Sequence, residues 1–219
     1  MENDQDFFIE NGVLTKYSGP GGEVTLPAGV RAIGKAAFKH HKTLTGVTIP
    51  EGVIKIGEFA FDNCANLTHA ALPSTVKHIG AWAFWLCEKL TGLALPPSLT
   101  AIAPSTWQQC TGLSQLVIPE GVTKVESCAF EECKALKTVT VPTSVTEIAD
   151  DAFSGCHQLT IHTPAGSYAQ EYAEKKGIAC VAEKPVEAEP NALEFECYGD
   201  VLVKYNGPGG EAVISEGVR

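Results

Sequence analysis

The sequence predicts an α/β repeat solenoid, a right-handed stack of parallel β-strands joined by short helical or 3₁₀ turns. The evidence is a set of landmarks that return every 23 residues along most of the chain. A fixed period of about 20 to 50 residues is typical of proteins in which each unit buries its apolar face only against its neighbours. The recurring prolines are Pro27, Pro50, Pro73, Pro96, Pro119 and Pro142, and the recurring aromatic residues are Phe38, Phe61, Phe84, Trp107, Phe130 and Phe153.

Residues 6–26 predict an antiparallel cap at the first end of the stack. Phe7–Ile9 and Val13–Tyr17 are short apolar segments joined at Asn11-Gly12, a dipeptide that tolerates the positive φ angles of a tight hairpin turn. The terminal unit of a solenoid exposes its core unless a polar-faced element covers it. We therefore expect a β-hairpin cap here.

Six repeats of 23 residues follow, over about 27–163. In the second repeat, one short strand precedes Pro50 and another follows it, since proline cannot donate to a strand ladder. Residues 57–61 then predict a helical or 3₁₀ turn that directs Phe61 inward. In the fourth repeat, Thr106-Trp107 replaces the Ala-Phe pair and Ala103-Pro104 replaces the Gly of the preceding repeats, and we expect this repeat to be the least regular.

Residues 164–181 predict a helical cap that ends the first domain, 1–181. Ser167 is suited to the N-cap and Gly177 to the residue after the helix. Residues 182–192 are rich in Pro, Glu and Ala, a composition typical of a linker. Residues 193–219 repeat the first cap at an offset of 188, which aligns Tyr17 with Tyr205 and predicts the start of a second, truncated repeat domain.

Five of the eight cysteines occupy one position of the repeat. Adjacent parallel strands are about 4.8 Å apart, a spacing that disulfides accept. Stacked equivalent side chains point in parallel, however, and this direction favours a ladder of buried, reduced thiols. A line of single cysteines does not form the tetrahedron that zinc requires, so we predict no metal and no cofactor. The five are Cys64, Cys87, Cys110, Cys133 and Cys156.

Charge and hydropathy narrow the classes of partner. The net charge of −10 argues against nucleic acid, which is bound by clustered Lys and Arg. No apolar run approaches the roughly 18 to 20 residues that cross a bilayer. The acidic start of the chain lacks the basic and apolar regions of a secretion signal.

The passages VTIPEGVIKIGEFAFDNCANL and LVIPEGVTKVESCAFEECKAL resemble the BspA-type (Treponema-like) leucine-rich repeat. The resemblance covers roughly residues 24–163. It implies a leucine-rich repeat fold, use as a recognition scaffold, and a role for several members as bacterial surface adhesins or host-interaction proteins; it brings no catalytic residues. Two locations stay open: the cell surface or exterior by resemblance, and the cytoplasm by the missing signal and the reduced thiols.

The strand before each proline is expected to line the concave face of the solenoid. Its outward residues are small and uncharged, so that the face suits an extended peptide, a glycan, or water alone. We name this candidate partner-binding surface the concave stripe. It consists of Thr48, His69, Ala71, Gln115, Val117, Thr138 and Thr140.

A second candidate partner-binding surface, the aromatic patch, consists of Phe59, Trp82 and Trp85. Trp85 holds a position that is polar in the other repeats, which predicts that it is exposed. Exposed aromatic clusters often anchor interfaces. The alternative is that Phe59 and Trp82 simply stack on each other.

The sequence therefore predicts a non-catalytic module that binds a protein or a glycan. None of the six histidines stands in a recognisable catalytic or metal motif. One alternative is a structural spacer or assembly domain, with self-association through residues 193–219. Another is a targeting domain of a larger protein.

Overall fold

The computed structural model describes residues 4–183, and the backbone alone of residues 195–198 and 201–205. The chain divides into two units, 1–183 and 184–219. Residues 184–192 of the predicted linker, and most of the predicted second domain with its proposed self-association, lie outside the described residues.

The elements follow one another in short, regular steps. A 3₁₀ turn, Asp4–Asp6, precedes the first strand. The strands and the helix are β1 (Phe7–Glu10), β2 (Val13–Tyr17), β3 (Gly22–Thr25), β4 (Ala32–Ile33), β5 (Leu44–Thr48), β6 (Lys55–Ile56), β7 (His69–Ala71), β8 (His78–Ile79), β9 (Gly92–Leu93), β10 (Ala101–Ile102), β11 (Gln115–Val117), β12 (Lys124–Val125), β13 (Thr138–Thr140), β14 (Glu147–Ile148), β15 (Thr160–Pro164), α1 (Tyr168–Lys176), β16 (Ala179–Glu183), β17 (Phe195–Tyr198) and β18 (Val201–Tyr205).

The strands form a parallel solenoid, as predicted. The strands before each proline pair in the order β3-β5-β7-β9 and again β11-β13-β15-β16. The strands after each proline form β1-β2-β4-β6-β8 and β10-β12-β14. Equivalent residues pair across neighbouring repeats: Thr48 lies opposite Ala71, and Val117 opposite Thr140. The cap is the predicted antiparallel pair β1 and β2, turning at Asn11 and Gly12, which both have positive φ.

The core is a column of stacked rings contributed by successive repeats. The ring centroids of Phe38 and Phe61 are 4.9 Å apart, and those of Phe61 and Phe84 are 5.0 Å apart. Trp107, Phe130 and Phe153 continue the column. All six rings are at most 4% exposed, so each repeat buries its aromatic side chain between those of its neighbours.

The segments predicted as helical or 3₁₀ turns are instead non-helical hydrogen-bonded turns. Phe59 and Asn63 have φ angles of 57° and 56°, in the left-handed region that ends a right-handed helix. This geometry turns backbone groups toward the neighbouring repeat: the N–H of Phe61 donates to the carbonyl of Ala83 at 2.7 Å. Alternate residues repeat this bond, and we call the series the turn ladder.

The five column cysteines are free thiols in the core. Each thiol donates a hydrogen bond to the carbonyl of the aromatic residue 26 positions earlier. Cys87 Sγ, for example, lies 3.2 Å from the carbonyl oxygen of Phe61. Burial raises the pKa of the Cys64 thiol to about 12 and also raises the pKa of Cys87.

Both sheets are interrupted between the third and fourth repeats. Within the described residues, β9 does not pair with β11, and β8 does not pair with β10. The turn ladder continues across this boundary, where Phe84 N–H donates to Thr106 O at 2.9 Å. We call this boundary the sheet break. It places the irregularity at the start of the repeat that the sequence singled out.

The sheet break coincides with two sequence changes in the fourth repeat, at Ala103 and Trp107. A Cβ at Gly80 would lie 2.6 Å from the backbone nitrogen of Glu58, so this column depends on glycine for close approach in the first three repeats. Ala103 is the first residue with a Cβ at this position, but Glu126 and Ala149 follow it in the next two repeats, where β10, β12 and β14 pair, so the Cβ alone does not cause the break. Trp107 also widens the aromatic column, because its centroid lies 6.0 Å from that of Phe84.

The second end of the stack is closed by helix α1, as predicted. Ser167 accepts a hydrogen bond from the N–H of Gln170, and Gly177 has a φ of 66°. Tyr172 is buried against Phe153, with ring centroids 6.3 Å apart. Tyr168, on the same helix, is 40% exposed.

Candidate functional site

The concave stripe is a set of side chains on adjacent strands, as the register requires. Six of its seven residues are exposed, and Thr138 is half-buried. Gln115 lies opposite Thr138, and Val117 opposite Thr140. The side chains point away from the core because residues alternate between the two faces of a strand. Val117, the large apolar residue of the stripe, is 64% exposed.

The first half of the stripe carries a polar bridge. His69 Nε2 lies 3.0 Å from Glu23 Oε2, and the pair spans β5 above Gly46. A Cβ at Gly46 would lie 2.1 Å from that carboxylate oxygen and 2.5 Å from the imidazole. Thr45 Oγ1 donates to Glu23 Oε1 at 3.1 Å. The pair of Glu23 and His69 therefore covers this half of the stripe, and the absence of a side chain at Gly46 provides the space for it.

The second half of the stripe contains two adjoining depressions. One, of about 360 Å³, lies at the sheet break. The other, of about 320 Å³, lies farther along the sheet. Both are lined by Val117, Pro119 and Thr140. Their volumes are at the lower end of those typical of ligand pockets. Together they give the uncharged strand face a shape that can hold a ligand.

Several residues of the first depression were not part of the predicted stripe. Leu93 and Leu95 line it together with Pro119. By their place in the repeat these leucines match buried core residues, such as Val47 and Ile49. They are only partly buried because the sheet break leaves one side of β9 uncovered. The available signal was the irregular sequence of the fourth repeat.

The aromatic patch is mainly a local packing arrangement. The rings of Phe59 and Trp82 stack with centroids 5.0 Å apart and planes 2° from parallel, as the alternative predicted. Both are half-buried. The ammonium groups of Lys35 and Lys39 lie 5.6 Å and 4.9 Å from the Phe59 centroid. The ring face of Phe59 is thus already in contact with cations of the same chain.

Trp85 is half-buried, not exposed as its polar equivalents predicted. Its indole Nε1 is buried and has no hydrogen-bond partner among the described residues. In the preceding repeat, the equivalent residue is Asp62, whose side chain is only 1% exposed and lies 2.9 Å from Lys39 Nζ. The predicted exposure of Trp85 is wrong because its repeat position is partly covered near the third repeat. Polar residues at this position in other repeats therefore do not imply that Trp85 is exposed.

A further hollow, of about 540 Å³, lies between the last repeat and the helical cap. Its charged groups already neutralise each other, because Lys176 Nζ lies 3.0 Å from Asp150 Oδ1. Hydrogen bonds from Lys176 and Lys175 hold the pKa of Asp150 below its usual value. Among the described residues, no group of three or more His, Cys, Asp or Glu side chains is arranged to hold a metal ion.

This repeated strand, turn and cysteine pattern is that of a known family. The family model for the BspA type leucine rich repeat region matches residues 23–163 in six copies. The chain belongs to this family, and leucine-rich repeat families are generally non-catalytic repeat proteins. Comparison with curated proteins gives no match.

Solved structures share the fold. The T. pallidum leucine-rich repeat protein is 27% identical with a TM-score of 0.71, over 84% of this chain and 99% of that chain. A leucine rich cell surface protein from Faecalibacterium prausnitzii A2-165 is 28% identical with a TM-score of 0.57, over 74% of this chain and 54% of that chain. A leucine-rich repeat protein from Bacteroides ovatus ATCC 8483 is 33% identical with a TM-score of 0.59, over 71% of this chain and 44% of that chain.

The described part of the chain contains no helix that combines the length and the apolar composition needed to cross a bilayer.

Proposed function

We propose that this chain is a non-catalytic binding module that presents the concave stripe to a protein or glycan partner. The observation that carries the proposal is the second half of the stripe, where an exposed strand face contains two adjoining depressions, the second of which is also lined by Glu120 and Glu183. Leucine-rich repeat domains generally mediate protein interactions. Solenoids in general bind partners on extended concave surfaces.

An extracellular partner fits this proposal best, in the manner of an adhesin or host-interaction protein. The relative from F. prausnitzii is described as a cell surface protein. Family membership over residues 23–163 supports the same use of the repeat scaffold.

The test is retention of the chain on immobilised extracellular matrix proteins and on a glycan array. A variant with Gln115→Lys and Thr140→Lys places two charges on the stripe at exposed positions. The matched control is Thr146→Lys, an exposed residue beside β14 in the other sheet. We expect the wild type and the control to be retained and the stripe variant to be lost. Equal retention of all three chains contradicts the proposal.

A structural spacer is the second candidate, and one observation favours it. Strands β17 and β18 pair with the register of β1 and β2: Phe195 lies opposite Tyr205, as Phe7 lies opposite Tyr17. This match supports a second array that begins with the same cap. Two results together would favour the spacer. The chain would bind no partner in the retention test, and scattering measurements would show an array that lengthens with each added domain.

The aromatic patch stays a prediction as a partner surface. Stacking of Phe59 on Trp82 and the lysines over Phe59 give these rings a structural role of their own. The variant Trp82→Ala in the same retention test distinguishes the two surfaces. If the aromatic patch binds the partner, this variant is no longer retained, although its concave stripe is intact.

A further inference from the structure

The sheet break leaves strand edges without partners in the middle of the concave face. In a parallel ladder, alternate residues direct their backbone groups to opposite neighbours. Ile118 N–H donates to Thr140 O at 2.9 Å, which fixes the direction of Leu116 and Ile118 toward β13. The backbone N–H and carbonyl groups of Gln115 and Val117 therefore face β9, with which β11 does not pair among the described residues.

Equivalent strands in each half of the sheet are paired along all three positions. In the first half, β5 pairs with β7 through Gly46, Val47 and Thr48. In the second half, β13 pairs with β15 through Thr138, Val139 and Thr140. Unpaired strand edges are templates for the main chain of another extended segment. A glycan has no comparable row of alternating donors and acceptors.

The depression at the sheet break supplies a place for a side chain. Its apolar lining comes from Leu93, Leu95, Leu116, Val117 and Pro119. Its rim carries uncharged polar groups. The rim residues are Gln115, Thr138 and Thr140. A volume of about 360 Å³ is ample for one branched aliphatic or aromatic side chain. The lining contains no charged group to receive an ionic ligand and no aromatic ring for a sugar to stack on.

We infer that the sheet break binds an extended polypeptide. The partner's main chain adds to the free edge of β11, and one branched aliphatic or aromatic side chain enters the depression between Leu93 and Val117. The net charge of −10 on the chain favours basic residues on either side of that anchor. This inference rests on the proposed function and specifies its partner as a peptide segment and its position as the sheet break.

The test is selection of random peptides displayed on phage against the immobilised full chain. We expect enriched peptides to share one branched aliphatic or aromatic residue, free of adjacent proline and flanked by Lys or Arg. Their affinity is then measured by fluorescence anisotropy with purified variants. Val117→Asp puts a charge in the depression. Thr48→Asp puts the same charge at the equivalent position of β5.

We expect Val117→Asp to weaken peptide binding by about tenfold or more, since desolvated anchors dominate such interfaces. Thr48→Asp should change it less than about twofold, because its position lies outside the depression. Val117→Ile should retain binding. Both substituted positions are exposed, so the thermal unfolding midpoints of the three variants should match that of the wild type.

The remaining outcomes separate the two proposals. If both aspartate variants weaken binding equally, the concave stripe binds the partner but the sheet break is not the site. If neither variant weakens it, both proposals fail. If no peptide is enriched, or if the array shows glycan binding that depends on Val117 instead, the assignment of a polypeptide partner is overturned while a glycan-binding stripe remains.

Discussion

The indole ring of Trp107 stacks on the ring of Phe84 with centroids 6.0 Å apart, against 5.0 Å between Phe84 and Phe61. The wider step coincides with the interruption of both sheets. Trp107 is fully buried, and its Nε1 has no hydrogen-bond partner among the described residues. The larger ring in the core therefore lies at the boundary where the sheets are interrupted, while the turn ladder continues across it.

Lys39→Met should destabilise the fold strongly, while Lys35→Met should not. Both lysines form ion pairs at 2.9 Å, but Asp62 is 1% exposed and Glu58 is 53% exposed. Loss of Lys39 leaves a buried carboxylate without its cation, which costs about 3 kcal/mol or more. An exposed pair such as Lys35 with Glu58 adds little. Urea unfolding measures the difference, and equal effects of the two variants would contradict the role given to Asp62.

Gly57→Ala should destabilise the fold, while Gly46→Ala should not. A Cβ at Gly57 would lie 2.7 Å from the backbone carbon of Gly34, whereas one at Gly46 would meet only the ends of two side chains. Overpacking against backbone typically costs about 1 to 3 kcal/mol. We expect a lower thermal unfolding midpoint for Gly57→Ala and little change for Gly46→Ala, whose side chains can swing away. A tolerated alanine at position 57 would show that the repeats are not packed this closely.

Thiol labelling of the native chain should separate two classes of cysteine. Burial raises the pKa of Cys64, Cys87 and Cys110, so that little thiolate forms at neutral pH. Cys128 and Cys180 are only half-buried. Mass spectrometry after brief treatment with an alkylating reagent should find label on the latter two first, with Cys64, Cys87 and Cys110 labelled only in denaturant. Equally fast labelling of Cys87 would disprove the buried ladder.

The phenol of Tyr172 makes stability depend on pH in the alkaline range. Burial raises its pKa from 10.0 to about 12. The unfolded chain therefore loses this proton at lower pH than the folded chain. The contribution of Tyr172 to the free energy of unfolding is complete below about pH 10 and is lost as the pH rises to about 12. Subtracting the ultraviolet titration of Tyr172→Phe from that of the wild type isolates this group. A midpoint near 10 in the difference curve would show that the helical cap leaves Tyr172 accessible.

The period of the sequence was enough to predict the main features of the solenoid. Equal spacing placed Phe61 against Phe84 and Thr48 opposite Ala71, because in-register stacking follows from equal repeat length. The N-cap at Ser167 and the left-handed Gly177 were also predictable, since both depend on local backbone chemistry. These features need only the residue and its immediate neighbours.

Other features depend on contacts between repeats and were missed. The left-handed φ of Phe59 is fixed by hydrogen bonds to the next repeat, which local propensity does not contain. Trp85 is half-buried even though its equivalents are polar. The depression near Leu93 lies where the two blocks of strands do not pair, at the boundary where Trp107 widens the aromatic column. The sequence signalled irregularity there, but not that it would open the concave face.

Residue-resolved hydrogen exchange across the concave strands tests the sheet break most directly. The N–H groups of Gln115 and Val117 should exchange at rates close to those of unpaired amides, while Leu116 and Val139, which lie in the interior of paired strands, stay protected. Protection of Gln115 and Val117 equal to that of Leu116 would mean that β9 and β11 pair in solution, and that no free edge is present for a partner.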